Sequence, residues 1–119
     1  MEPWAWITYE NQEYSMYRVN VLYGPPDDRE QFISYYENTH LPLAKAIPGS
    51  RNHAFAFNVS SLGEESPFFA VFSADFESFD KFEEGMASAE GKMAAADIAN
   101  FASGGATIIH YQVMSVGLE

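Results

Sequence analysis

Four stretches of two-residue alternation, interleaved with two helix-favouring stretches in a set order, constrain this 119-residue chain more than any single motif. From Met16 to Tyr23, the side chains Tyr17, Val19, Val21 and Tyr23 share one side and Met16, Arg18, Asn20 and Leu22 the other, which is the period of a strand. It ends at Gly24-Pro25-Pro26, because proline cannot donate to a ladder. Arg51 to Val59 sets His53, Phe55, Phe57 and Val59 against Asn52, Ala54, Ala56 and Asn58. Phe68 to Phe76 sets Phe68, Ala70, Phe72, Ala74 and Phe76 against Phe69, Val71, Ser73 and Asp75. Ser60 to Pro67, with Gly63, two glutamates and a proline, predicts the hairpin loop between them. In the last stretch, Ala106 to Val116, Thr107, Ile109, Tyr111 and Val113 oppose Ile108, His110, Gln112 and Met114.

Asp27 followed by Glu30 is a capping-box spacing and predicts a helix start. Phe32, Ile33, Tyr36, His40 and Leu43 make its apolar stripe. Pro42 disfavours α geometry at Leu41, which predicts a break near Thr39-His40 and a short second turn from Leu43 to Ile47, ended by Pro48-Gly49. The second helical stretch, Ser78 to Phe101, is Ala-rich, with Ser78 as cap, Phe79, Phe82 and Met86 apolar, Gly85 and Gly91 as bends and Gly104-Gly105 as terminator. The order βαββαβ in a chain of one-domain length is the ferredoxin-like α+β arrangement, a four-stranded antiparallel sheet with helices on one face. The opposite face is expected to carry Arg18, Asn20, Asn52, His110, Gln112 and Met114 or their neighbours. A sheet face open to water is normally more polar, so a second identical subunit stacked sheet on sheet is expected to cover it, the alternative being ordinary half-exposed strand residues.

Charge and composition exclude several functions. Six Lys plus Arg stand against seventeen Asp plus Glu, a formal charge of −11, and no cluster of basic residues offers a phosphate backbone or an anionic membrane a footing. The absence of cysteine removes disulfides, thiolate nucleophiles, Fe–S clusters and Cys-based zinc sites. The first residues lack a basic region followed by an apolar run, and no run approaches the ~18 apolar residues that span a bilayer, so the chain is read as soluble, unexported and cytoplasmic. No G-x-G-x-x-G follows the first strand, and neither His53 nor His110 has a His, Asp or Glu at metal-ligand spacing. Neither a nucleotide cofactor nor a metal is indicated.

The first strand closing in LYG, the helical YYENTHLPLAKAIPG, the phenylalanine-rich hairpin and the late ADIANF together resemble the EthD family of the dimeric α+β-barrel superfamily. The specific residues are Tyr36, Thr39-His40, Pro42-Leu43 and Pro48-Gly49, with Ala96-Asp97-Ile98 and Asn100-Phe101 as a weaker second motif. Two positions depart from the family pattern: Ala99 stands where a proline is usual, and Ala102 where a polar residue is common. The resemblance implies a domain over residues 16–116, a homodimer, an N-terminal extension over 1–15 and a tail over 117–119. Trp4, Trp6, Ile7, Tyr9 and Tyr14 give the extension a large apolar area, expected to pack on the domain or its dimer partner; the alternative is an upstream start whose product merely adheres to a neighbouring apolar patch.

His40 is the first candidate for chemistry. It lies at the expected end of a helix, on the stripe of Phe32 and Tyr36, where its imidazole can exchange a proton with a ligand near neutral pH. The competing role is a turn residue bonding a backbone carbonyl. Tyr36 and Tyr23 are its companions, able to orient a carbonyl or phenol, or else plain core residues with solvated tips. Asp97 and Asn100 can bond a ligand's polar end, though Asn100 can equally cap a helix. With Phe32, Leu43, Ile98 and Phe101, these residues are expected to line an apolar cleft between helices and sheet that takes a small hydrophobic or aromatic carbonyl or phenolic compound. Three functions stay open: a cofactor-independent acid/base enzyme of isomerase, cyclase or dehydratase type; a non-catalytic accessory protein of a degradative, monooxygenase-linked pathway, as the resemblance implies; and a cofactor-independent oxidoreductase.

Overall fold

The alternating stretches form four strands, β1 (Met16–Tyr23), β2 (Arg51–Phe57), β3 (Ala70–Phe76) and β4 (Ala106–Val113), in one antiparallel sheet of order β2-β3-β1-β4. The computed structural model describes residues 16–114. The 1–15 extension with its Trp4, Trp6, Ile7, Tyr9 and Tyr14, the Ser115 and Val116 end of the last expected strand, and the 117–119 tail lie outside the described residues. The helices are α1 (Arg29–Tyr35), α2 (Leu41–Lys45), α3 (Phe79–Ala87) and α4 (Ala89–Asp97), all on one face of the sheet. The fold is ferredoxin-like, and among the described residues no helix is long and apolar enough to cross a membrane.

Local detail departs from the sequence reading where tertiary ties override local pattern. The cap of α1 is Asp28, not Asp27: its carboxylate accepts the Gln31 N–H at 3.1 Å, whereas the Asp27 N–H donates to Ser103 Oγ at 2.9 Å. That tie belongs to a tight seam in which Gly24 N–H donates to Gly105 O at 3.0 Å and a Cβ on Gly24 would collide with the backbone of Gly104. The expected break at Thr39-His40 is absent. The helical chain continues from Arg29 to Lys45 because residues Tyr36–His40 widen into one π turn, in which the Leu41 N–H bonds Tyr36 O. The wider turn relieves the clash that Pro42 would make with a carbonyl four residues back. The stripe accordingly continues from His40 to the buried Ala44, and Leu43 is turned partly to solvent.

The second helical stretch bends at Ser88, which caps α4 by accepting the Gly91 N–H at 3.0 Å, and not at Gly85 or Gly91. The two glycines serve close approach: a Cβ on Gly91 would meet the backbone of Gly85 and Met86, and one on Gly85 would meet Pro48 O at 2.6 Å. Strand β2 is shorter and more irregular than its alternation implies. Asn52 (φ 55°) makes a bulge between Arg51 and Ala54, and Asn58 (φ 59°) ends the strand before Val59. Strand β3 begins at Ala70 because Phe69, in the bend before it, turns into the core, its N–H donating to Tyr23 O at 2.7 Å.

The core lies between helices and sheet, with Val19, Val21, Tyr23, Phe72, Ala74 and Phe76 meeting Phe32, Tyr36, Ala44 and Phe82. On the other face, Arg18 and Asn52 sit as expected, with Arg18 Nε donating to Asp75 Oδ1 at 2.7 Å and Asn52 Nδ2 to Oδ2 at 3.2 Å. Burial works against the Asp75 charge, but these donors hold its pKa below the ordinary carboxylate value. His110 and Gln112 are not on this face. They oppose Val19 and Tyr17, so they share the helix side, where the His110 ring packs on Phe82 at 4.7 Å and its Nδ1 meets the Tyr17 hydroxyl at 2.7 Å. Ile109 and Tyr111 take the open face in their stead, opposite Asn20 and Arg18, and Met114 lies past the end of β4.

Candidate functional site

His40 and Asp97 come from different helical arms and meet beneath them. The π turn puts Tyr36 and His40 inward four residues apart, their rings 5.4 Å centre to centre, while the last residue of α4 brings Asp97 beside the imidazole. His40 is 4% exposed and Asp97 8%. His40 Nδ1 lies 2.9 Å from Asp97 Oδ2. The carboxylate can only accept, so Nδ1 carries the hydrogen and Nε2 is left with its lone pair. The other oxygen, Oδ1, accepts from the Tyr35 hydroxyl at 2.6 Å and from Asn100 Nδ2 at 2.9 Å.

The electrostatics follow from burial and from these three donors. Burial lowers the His40 pKa and outweighs the Asp97 carboxylate, which acts to raise it, so the imidazole is neutral at neutral pH. Burial opposes the charge of Asp97 too, but the bonds from Tyr35, Asn100 and His40 hold its pKa below the ordinary value. Burial, reinforced by the nearby Asp97 charge, pushes the Tyr23 phenol up; burial and then Tyr23 push up Tyr36. Both phenols therefore stay protonated as donors. The Tyr36 hydroxyl is buried and has no hydrogen-bond partner among the described residues, whereas nearly all buried polar groups in folded proteins have one.

His40 and Tyr23 are the polar groups on the wall of a cavity of about 50 Å³, otherwise formed by Val21, Ala44, Phe72, Met86, Ile98, Ile108 and their neighbours. The cavity lies under α4, at the side where β4 is uncovered and Ile108 is 46% exposed. Of the expected cleft residues, Tyr23, His40 and Ile98 line it. Tyr36 is packed in the core against Tyr23 (5.9 Å) and His40, and Leu43 yields its expected place to Ala44 because of the wider helical turn. Phe32, Asn100 and Phe101 line a different hollow, an outer cleft of about 190 Å³ shared with Tyr35 and Ser103. Phe101 separates the two, its ring 4.7 Å from His40 and 5.4 Å from Tyr35. Asn100 bonds Asp97 and not a helix end.

Tyr35 is the member of this cluster that periodicity does not disclose, since it lies one residue off the apolar stripe and its bond reaches 62 residues along the chain. Among the described residues there is no group of three His, Asp or Glu able to hold a metal ion.

Comparison with known proteins places the chain in a family. An uncharacterised 11.0 kDa protein from the thcB-thcC intergenic region of Rhodococcus erythropolis is 39% identical over 94 residues, 79% of this chain and 91% of its own. A crystallised EthD family protein from Bacillus halodurans is 30% identical with a TM-score of 0.75, over 81% of this chain and 96% of its own. A dimeric ferredoxin-like protein of unknown function from Thermobifida fusca shares the fold, with a TM-score of 0.60 at 17% identity over 83% of this chain and 91% of its own. The EthD domain profile matches residues 24–105, a span that takes in the π turn with its His-Leu-Pro, the second helical arm and the Asp97 cluster, and the chain belongs to the EthD family.

Proposed function

We propose that the His40 cavity carries out cofactor-independent acid/base chemistry on a small, neutral, apolar carbonyl or phenolic compound. The observation that supports it is the imidazole whose Nδ1 is bound to Asp97 while Nε2 has no partner among the described residues at an apolar wall. Nε2 takes a proton from an acidic C–H or O–H of the ligand, and Asp97 stabilises the imidazolium that forms. Tyr23 supplies the donor for the oxygen that gains charge, with the buried Tyr36 ring packed against it. His40 then returns the proton to another ligand atom, so the net change is an isomerisation and the protein is regenerated. The carboxylate behind His40 and, among the described residues, the absence of Lys or Arg from the wall disfavour anionic ligands. At about 50 Å³ the cavity is tighter than the roughly 300–1,000 Å³ of ligand pockets, so it must widen to take a ligand of that class.

The test is deuterium exchange at the α-carbon of a panel of small ketones in D2O, followed by proton NMR. The wild-type protein is expected to accelerate exchange of at least one of them, and His40→Ala to lose this acceleration by about a hundredfold or more. Compounds that bind without exchanging, with affinity unchanged in His40→Ala, would instead make this an accessory binding protein.

The active species is a homodimer in this reading. Ile109 (43% exposed) and Tyr111 (40%) crown the face away from the helices, beside the half-buried Leu22 and Val71, and solved neighbours of the same fold are described as dimeric. Sedimentation is expected to show a dimer for the wild type and a monomer for Ile109→Lys combined with Tyr111→Lys; a wild-type monomer at micromolar concentration rules the dimer out.

A further inference from the structure

Asp97 is gripped from two sides, and only one of them is the cavity. On the inner side Oδ2 faces His40; on the outer side Oδ1 takes Tyr35 and Asn100, both of which line the outer cleft. A carboxylate held through both oxygens by three donors cannot rotate, and its negative charge is shared among them. The Tyr35 ring is itself fixed, stacked on Phe101 at 5.4 Å with 26° between planes, and Phe101 in turn touches the His40 ring. Consecutive tyrosines thus divide the work at the start of the π turn: Tyr36 points inward against His40, and Tyr35 holds the carboxylate from outside.

We infer that Tyr35 is a positioning residue, which fixes the orientation of Asp97 and draws off part of its charge so that His40 stays a neutral base with its hydrogen on Nδ1. The inference rests on the acid/base reading of the His40 cavity. Its physical basis is competition for one carboxylate: each donor on Oδ1 weakens the pull of Oδ2 on the imidazole proton. The other titratable groups near His40 are Tyr23 from β1 and Tyr36 from its own turn; Phe72, Met86 and Ile108, which reach the same cavity from β3, α3 and β4, carry no charge.

The experiment is a pH titration of the His40 imidazole nitrogens by two-dimensional NMR in the full chain. Tyr35→Phe keeps the stacking ring and removes only the hydroxyl. Its His40 midpoint is expected to move upward from that of the wild type, and Asn100→Ala to move it in the same direction. Tyr17→Phe, which removes the hydroxyl beside His110, is expected to leave His40 unmoved. Amide spectra of each variant that overlay on the wild type away from the substitution show that the fold is kept; if Tyr35→Phe unfolds the chain, the Asn100→Ala midpoint decides alone. Coincident His40 titrations in wild type and the folded Oδ1 variants would overturn the inference. The midpoint is read without any turnover, so a shift in Tyr35→Phe together with no ketone exchange in the wild type would uphold the positioning role and reject only the acid/base reading.

Discussion

Asp97→Ala is expected to lower unfolding free energy by about 3 kcal/mol or more at neutral pH, because it removes the buried acceptor shared by the buried His40, the half-buried Tyr35 and the exposed Asn100. The measurement is urea denaturation of wild type and variant, compared at equal slope. The loss should shrink in acid. Asp97 has a folded pKa below its ordinary 3.8, so its contribution is complete above that value and disappears as pH falls through the lowered one. His40 has a folded pKa below its ordinary 6.5; its contribution is present above 6.5 and is lost on acidification through the lowered value. Wild-type stability should therefore begin to fall below about pH 6.5 and fall further below about pH 4. His40→Phe should flatten the first limb, leaving the part due to His53, whose pKa burial and then Lys45 also lower. An Asp97→Ala protein as stable as wild type at pH 7 would show that the cluster contributes nothing net to folding.

Phe32→Ala is the second large effect, expected to cost about 3–5 kcal/mol as a lower urea midpoint. Phe32 is buried at the meeting of both helical arms and the sheet, with Tyr23 and Phe69 rings at 5.4 Å, Phe101 at 5.2 Å and Tyr36 stacked at 6.0 Å. Two of those neighbours, Tyr36 and Phe101, are the rings against His40, so the cavity left by the truncation sits directly behind the site. Ketone exchange should fall along with stability. Phe55→Ala, on the edge strand and 39% exposed, is the control and should cost less than about 1 kcal/mol. Equal losses for the two variants would mean that the aromatic cluster is not the organising core.

Both predictions depend on contacts that differ in how readily a linear chain reveals them. The inward position of Tyr23, Phe32, Tyr36 and His40 was readable because strand and helix periods are local geometry: every second or every third-to-fourth side chain shares a face. The cap at Ser78 and the chain breaks at Gly24 and Gly104-Gly105 also follow from residue type, whereas the close approach of Gly24 to Gly104 does not. The phase of β4 did not. Both of its alternating sets mix apolar and polar residues and both stay largely exposed among the described residues, so only its pairing with β1, His110 opposite Val19, decides which set meets the helices. The helix through Pro42 escaped for a related reason: proline penalises α geometry, but a π turn removes the clash while the packing of Tyr36 and His40 holds that turn in place.

Periodicity and turn chemistry, which act within a few residues, were sufficient to determine a four-stranded sheet with two helical arms on one side and to put His40 on the buried stripe. Tertiary structure alone decided what His40 does there. The carboxylate that orients it, the phenol that holds that carboxylate and the rings that enclose both are brought together from positions 35, 40, 97 and 101 by the closing of the second arm onto the first. Hydrogen bonds act over about 3 Å of space irrespective of separation along the chain, so no local pattern encodes them.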